Sequence, residues 1–351
     1  MGICFSKSSG SPPHVAQTVS LGTPPERLQW PPREALEQYQ IQQAAYHMGA
    51  SVLGEPVSSP RRLATAGQTV HDVRLLLKHG RGNVKADDIP SHGHNGIGSS
   101  AASYARSYEH QAARAVLVGA GICDQHAPLC AIVHAPHMAV GEISTVTASS
   151  AVPLREITDE GATNDVSAGH VWSELRRGDR DQMSTVVMDA WANGPAVRLQ
   201  DSAWVAAPIQ DKRLMDKITA QIEKNGVEEM APLQRQLVDE RVRDKLEAPT
   251  SWTKYAEPQV ISPEFAGRVR EALGRCSEDE KEKIASDMIR DTYGIERGSR
   301  NHRSAVISVL QAVSRLDALS RPDVVPSEHI TAIGSSLPSS SRSRARSSQS
   351  R

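Results

Sequence analysis

The sequence predicts an α+β fold in which a cysteine-bearing helix packs on an antiparallel sheet, with a helical C-terminal part and disordered termini. Three observations lead there. The run Gly119-Ala120-Gly121-Ile122-Cys123 is a glycine-rich turn that opens an apolar stretch from Ala127 to Val133, placing Cys123 at or near a helix N-terminus. Two β-rich segments, His170–Leu175 and Thr185–Trp191, flank a polar turn, Arg176-Arg177-Gly178-Asp179-Arg180-Asp181. Residues 208–247 are charged and long, with Leu214, Ile218 and Ile222 at spacing four, the pattern of one or two amphipathic helices.

In chain order, residues 1–65 are rich in Ser, Pro, Gly and Gln and read as a mobile arm. Within it, Leu36, Tyr39, Ala44 and Met48 give a loose helical spacing over Arg33–Met48. Thr69–His79 reads as a short helix stopped by Gly80, and Gly80-Arg81-Gly82-Asn83 as a turn. Ser91–Ser100 has the Gly, His and Ser content of a loop, and Ala101–Val118 the Ala, Tyr and Arg content of a helix. Pro128 is tolerated near the start of the Cys123 helix. Residues 140–170 carry β-branched runs, with loop chemistry over Asp159–Ala168. Pro263–Tyr293 and Ser304–Leu319 read as further helices, and the Ser/Arg-rich tail as disordered. The expected organisation is an arm over 1–65, a core over 66–210, a helical region over 211–330 and a tail over 331–351.

Composition bounds the function. Of 351 residues, 38% are apolar and 4% aromatic, which suits a compact centre of roughly 200 residues with poorly packed flanks. Lys+Arg is 40 and Asp+Glu 41, so no charge excess argues for nucleic acid as a partner. Four scattered cysteines do not make a disulfide framework, and a reducing compartment fits better. No apolar run approaches the ~18 residues of a membrane-spanning helix, and no secretory signal opens the chain. No cofactor is expected. Gly2 with Ser6 does match the N-myristoylation pattern, and Cys4 beside it is a candidate palmitoyl site. A single myristoyl chain holds a membrane only marginally, so Cys4 would supply the second anchor.

The candidate chemistry rests on three residues. A thiol attacks as its thiolate, which a helix N-terminus and a neighbouring histidine both favour. Cys123 has the first device, and His170 is the candidate base. Strand periodicity puts His170, Trp172 and Glu174 on one face. Positions 170 and 189 are symmetric about the turn, so a tight hairpin would set Asp189 directly opposite His170 as the carboxylate that orients the imidazole. A slip of one residue would separate them onto opposite faces. Each residue also has a plainer reading: Cys123 as a small buried hydrophobe, His170 as a strand histidine, Asp189 as a turn cap. Trp172 and Trp191 read as packing residues ahead of substrate platforms, and Arg81 and Asn83 as completing a turn, with shaping the active-site wall as their alternative. His126 is an alternative base, and Cys123, His126, Cys130, His134 and His137 an alternative zinc set, although their spacings are not those of tight zinc sites.

The order Cys, His, Asp, with the first on a helix and the others on neighbouring strands, resembles the papain/transglutaminase-like core. The local words Gly119–Ala127, His170-Val171-Trp172-Ser173-Glu174 and Val187-Met188-Asp189-Ala190-Trp191-Ala192-Asn193-Gly194, with Gly80–Asn83 upstream, resemble the AvrPphE/HopX family of bacterial type III effectors, and the acylation pattern suggests its XopE branch. The similarity runs from about residue 70 to about 210. It implies a Cys123–His170–Asp189 triad, delivery into plant cells, a host protein substrate, a host membrane reached through the acylated N-terminus, and modulation of immunity. The family commonly has Gly-Glu after the cysteine and often Pro after the aspartate, where this chain has Asp124-Gln125 and Ala190. These departures keep a second expectation open: a non-catalytic, membrane-anchored interaction protein on the same fold.

Overall fold

The computed structural model describes residues 36–103, 108–228 and 252–316. The acylation pattern at Gly2 and Cys4 and the Ser/Arg tail lie outside the described residues. In order, the elements are α1 (Gln38–Val52), α2 (Pro60–Leu76), β1 (Gly80–Arg81), α3 (His94–Ser103), α4 (Tyr108–Val118), β2 (Ala120–Gly121), α5 (Cys123–His134), β3 (Glu142–Ile157), β4 (Thr163–Arg177), β5 (Val186–Met188), β6 (Val197–Arg198) and β7 (Ile209–Asp216). A helix described over 217–228 (α6) follows. After it come β8 (Lys254–Tyr255), α7 (Pro263–Arg275), α8 (Glu278–Tyr293) and α9 (Arg300–Val313).

The fold is mixed α and β around one antiparallel sheet of order β6-β5-β4-β3-β7, with β8 pairing the far end of β3. The long β3–β4 hairpin carries the sheet, from Glu142 opposite Arg177 to Ile157 opposite Thr163. Helix α5 packs on β4 and β3, and α2 packs on α5 and β5. On the far side of α2, α1 meets α7, α8 and α9. The C-terminal helices are set by side-chain caps: Ser262 and Ser277 accept from the backbone N–H three residues on, and Glu280 bonds back to the Ser277 amide.

The structure corrects several expectations. Residues 38–65 are not a mobile arm: α1 and the first turns of α2 bury Ala44, Tyr46, Met48 and Leu63 in the core. The helix expected over Thr69–His79 therefore begins at Pro60, which suits N1 because its missing N–H is one that no helix bonds there. Ser91–Ser100 mostly forms α3 rather than a loop, because its small residues let the backbone close on β2. Thr163–Ala168 is strand, held by pairing to β3, so the loop shrinks to 158–162. Leu214 lies on edge strand β7, not on a helix. The helix expected over Pro263–Tyr293 breaks at Cys276, where the Ser277 capping box starts a new one. Pro128 falls in the second turn of α5, leaving the Asp124 carbonyl without a helical donor.

Candidate active site

Gly119 makes the turn into the site, at φ 69°, where an L side chain would be strained. Ala120 and Gly121 then pair in parallel with Gly80 and Arg81, and the chain enters α5 with Cys123 as its first residue. The Gln125 side chain accepts from the Ile122 amide at 2.9 Å, closing the helix start. Cys123 is 8% exposed, whereas Cys130, two turns on, is 0% exposed, so of these two only Cys123 opens to solvent. Burial pushes the Cys130 thiol up to about 12.

His170 on β4 and Asp189 just past β5 are brought together, but not by the expected register. Ser173 pairs with Met188 and Leu175 with Val186, which projects position 189 opposite 172. The hairpin is slid by two residues, because the connection continues to Thr185 rather than closing tightly. A two-residue shift preserves the face, so His170 and Asp189 meet as diagonal neighbours. His170 Nε2 donates to Asp189 Oδ2 at 2.7 Å, with both groups buried.

Asp189 is fully engaged. Its Oδ1 accepts from the backbone amides of Trp191 at 3.0 Å and Ala192 at 3.1 Å, and Oδ2 also accepts from Trp204 Nε1 at 3.0 Å. Burial would raise this carboxyl, but the His170 charge and these hydrogen bonds outweigh it and hold it below the usual carboxylate range. For His170, burial alone would lower the imidazole. The Asp189 charge and hydrogen bond, with a lesser contribution from nearby Cys123, instead raise it to about 9. Since Nε2 is held by Asp189, Nδ1 is the nitrogen left to exchange a proton with sulfur. In this resting geometry Nδ1 makes no formed hydrogen bond among the described residues.

Three indoles enclose the imidazole, with ring centroids at 4.7 Å (Trp191), 4.8 Å (Trp204) and 5.7 Å (Trp172). Trp172 and Trp191 are buried, as expected for packing residues, and they pack on the imidazole itself. Trp204 was not legible: it follows a short 3-10 turn with no pattern of its own. Arg81 and Asn83 build the wall, the less favoured of their two expected roles. Arg81 binds both oxygens of Asp87, the Trp191 carbonyl at 2.9 Å and Glu257 at 2.9 Å, while Asn83 Oδ1 accepts from Trp191 Nε1 at 2.9 Å. Arg74 was also missed. Its guanidinium spans the carbonyls of Asp189, Ala190, Ala192 and Gly194, tying down the loop that holds the carboxylate.

His126 does not replace His170. Its Nδ1 is bonded to the Ile122 carbonyl at 2.9 Å, and burial lowers it to about 4. The alternative zinc set does not converge. His134 Nδ1 pairs with the Thr69 hydroxyl at 2.8 Å, and among the described residues no group of three or more His, Cys, Asp or Glu is placed to hold a metal ion.

The arrangement is a thiol at a helix N-terminus, a buried imidazole beside it and a fully hydrogen-bonded carboxylate behind. Compared with known proteins, the chain matches no family model, no curated protein and no solved structure.

Proposed function

We propose that this chain is a thiol acyl-transfer enzyme with Cys123 as nucleophile, His170 as base and then acid, and Asp189 as the group that orients the imidazole, on a papain/transglutaminase-like core. The observation that carries the reading is the imidazole held through Nε2 by a buried carboxylate at 2.7 Å, its Nδ1 left unbonded among the described residues, with Cys123 as the first residue of α5. The Cys123 thiolate attacks the carbon of a carboxamide, either a glutamine side chain or a peptide bond, and an S–C bond forms. The imidazolium gives its Nδ1 proton to the departing nitrogen as the C–N bond breaks. Amine or water then resolves the thioester, giving transglutamination in one case and deamidation or proteolysis in the other. Amides at the N-terminus of α5 are the natural donors to the oxyanion.

The resemblance to AvrPphE/HopX effectors extends the proposal: a type III secreted effector that modifies a host protein in plant cells, at a host membrane reached through acylation of Gly2 and Cys4. The test at the site is alkylation by iodoacetamide at neutral pH. Cys123 should react selectively, and His170→Ala should slow that reaction about tenfold or more. Uniform slow labelling of all cysteines, unaffected by His170→Ala, would leave only the binding-protein alternative. For the address, Gly2→Ala should move the protein from the membrane fraction to the soluble one.

A further inference from the structure

Strand β4 pairs with β3 from Thr163 to Arg177 across one bulge, but with β5 only at Ser173, Glu174 and Leu175. β5 ends at Met188, so the side of β4 over Thr163–Gly169 has no strand beside it among the described residues. The pairing assigns the backbone groups on that side. Thr158 N–H donates to the Ala162 carbonyl at 2.9 Å, and antiparallel pairs alternate from there. Asn164, Val166 and Ala168 therefore turn their backbone groups to β3, and Thr163, Asp165, Ser167 and Gly169 turn theirs outward. Two facts on β3 agree with this parity. Pro153, which has no N–H to give, lies opposite Ser167, and the Arg155 carbonyl, opposite Asp165, accepts from the Ala256 amide on the outer side of β3 at 2.8 Å. The four outward residues of β4 are exposed, and their backbone N–H and C=O groups have no partner among the described residues.

Other edges of the sheet are blunted. β7 carries Asp211, Lys212 and Arg213 with a bulge at Lys212, and the outer side of β3 carries Pro153 and is then covered by β8. Thr163–Gly169 has neither Pro nor Lys, and its one charge, Asp165, is paired with Arg155 at 3.1 Å. The donors and acceptors of such an edge repeat about every 6.8 Å, a pattern that an extended polypeptide matches. The edge runs directly into His170, the buried base. We propose that the acyl substrate is an extended polypeptide segment that adds to β4 along Thr163–Gly169 as an antiparallel strand, on the line that β5 leaves after Met188. The inference rests on the acyl-transfer reading and names its substrate class. Because β4 runs toward the site, an antiparallel partner has its N-terminal end there, and the reacting residue precedes the bound segment.

The experiment uses the full chain and an N-chloroacetyl peptide of alternating Thr and Val closed by two lysines, which carries its electrophile at the end nearest the site. The peptide should alkylate Cys123 about tenfold faster than chloroacetamide does, through proximity. N-methylation of alternate peptide amides should abolish that gain in the phase that faces β4. Ser167→Pro removes an outward N–H and no bond to β3, so it should abolish the gain and leave the chloroacetamide rate unchanged. Amide exchange at Thr163, Asp165, Ser167 and Gly169 should be fast in the free chain and slowed by the peptide. A peptide no faster than chloroacetamide, or a gain that survives both phases of N-methylation, overturns the proposal; His170-dependent alkylation by chloroacetamide would still leave the acyl-transfer reading standing. Slow exchange at the four amides before peptide is added also overturns it, since another segment of the chain or a second copy then holds the edge. Fluorescence anisotropy of the labelled N-acetyl peptide on Cys123→Ala reads strand addition without the thiol. Binding there that Ser167→Pro abolishes, beside an unreactive Cys123 in the parent, would place the failure in the acyl-transfer reading, and absence of binding would place it in the strand addition.

Discussion

Asp189 shows at the scale of one residue why the site tolerates little change. Four N–H groups converge on its two oxygens, so every acceptor position is used. In Asp189→Asn the new amide turns N–H groups toward donors already there, and the imidazole loses its anionic partner. We expect turnover to fall about 10²- to 10⁴-fold and the His170 titration, followed by NMR, to move well down from its parent value, since burial is then opposed only by the lesser contribution of Cys123. In the parent the same titration should centre near 9. The sign for stability follows. A pKa raised on folding contributes stability that is complete below the unfolded value of about 6.5 and is lost as pH rises toward the folded one. The parent should therefore lose stability between these two pH values, and Asp189→Asn should not, in denaturant melts at stepped pH. Trp204→Phe keeps the packing on His170 but removes one donor, with an expected loss of about 1–2 kcal/mol. Of these residues, Cys123, His170 and Asp189 were legible because their types and order carry chemistry. Trp204 was not, because a tryptophan after a short turn has no spacing to betray it.

At the scale of elements, the site depends on a hairpin and the clamp behind it. Turn chemistry set the hairpin pairing two residues from its true register, yet the face survived because a strand repeats every two residues. The sequence could supply that parity; it could not supply the register itself, which the pairing of β5 with β4 on one side and β6 on the other sets. Other elements escaped for similar reasons. Nothing in Ser91–Ser100 favours a helix until β1 and β2 pack against it, and Leu214 shares the spacing of Ile218 and Ile222 by coincidence, since those two are on helix α6 and Leu214 is on a strand. Arg74 gives the element-scale prediction. Burial, then the Arg81 charge, lowers its guanidinium to about 10, which leaves it charged at neutral pH while it bridges four carbonyls. Arg74→Met should cost roughly 3 kcal/mol or more, since hydrogen bonds to a charged group are worth about 1.5–3 kcal/mol each. Arg74→Lys should recover only part of this, because an ammonium cannot span the same fork. Urea midpoints would measure both, and a change under about 1 kcal/mol for Arg74→Met would mean the clamp does not hold the loop.

The whole molecule joins the site to its C-terminal helices, and this sets its cooperativity. A division at residue 210 was reasonable from sequence, where the charge-rich stretch begins, but the packing runs across it. Residues 254–262 thread along the site: Tyr255 bonds Asn83, Pro258 and Val260 bond Asn193, and Ser262 bonds Asp201. Beyond them, Phe265 packs on Tyr46 of α1 at 5.3 Å between ring centroids, and the Tyr46 hydroxyl donates to Asp201 at 2.6 Å, which Arg198 also binds at 2.8 Å. That network ties α1 and α7 to the segment just after the Asp189 loop. Val260, Ile261, Phe265 and Val269 are all buried in the shared core. At about 1.5–3 kcal/mol per side chain, their burial alone rivals the whole stability of an ordinary domain. A chain ending at residue 251 should therefore fail to fold, and calorimetry of the full chain should show one transition that destroys α9 and the Cys123 site together. Two separate transitions, or a folded chain ending at 251 whose Cys123 still alkylates as in the parent, would show instead that the site stands on the N-terminal elements alone.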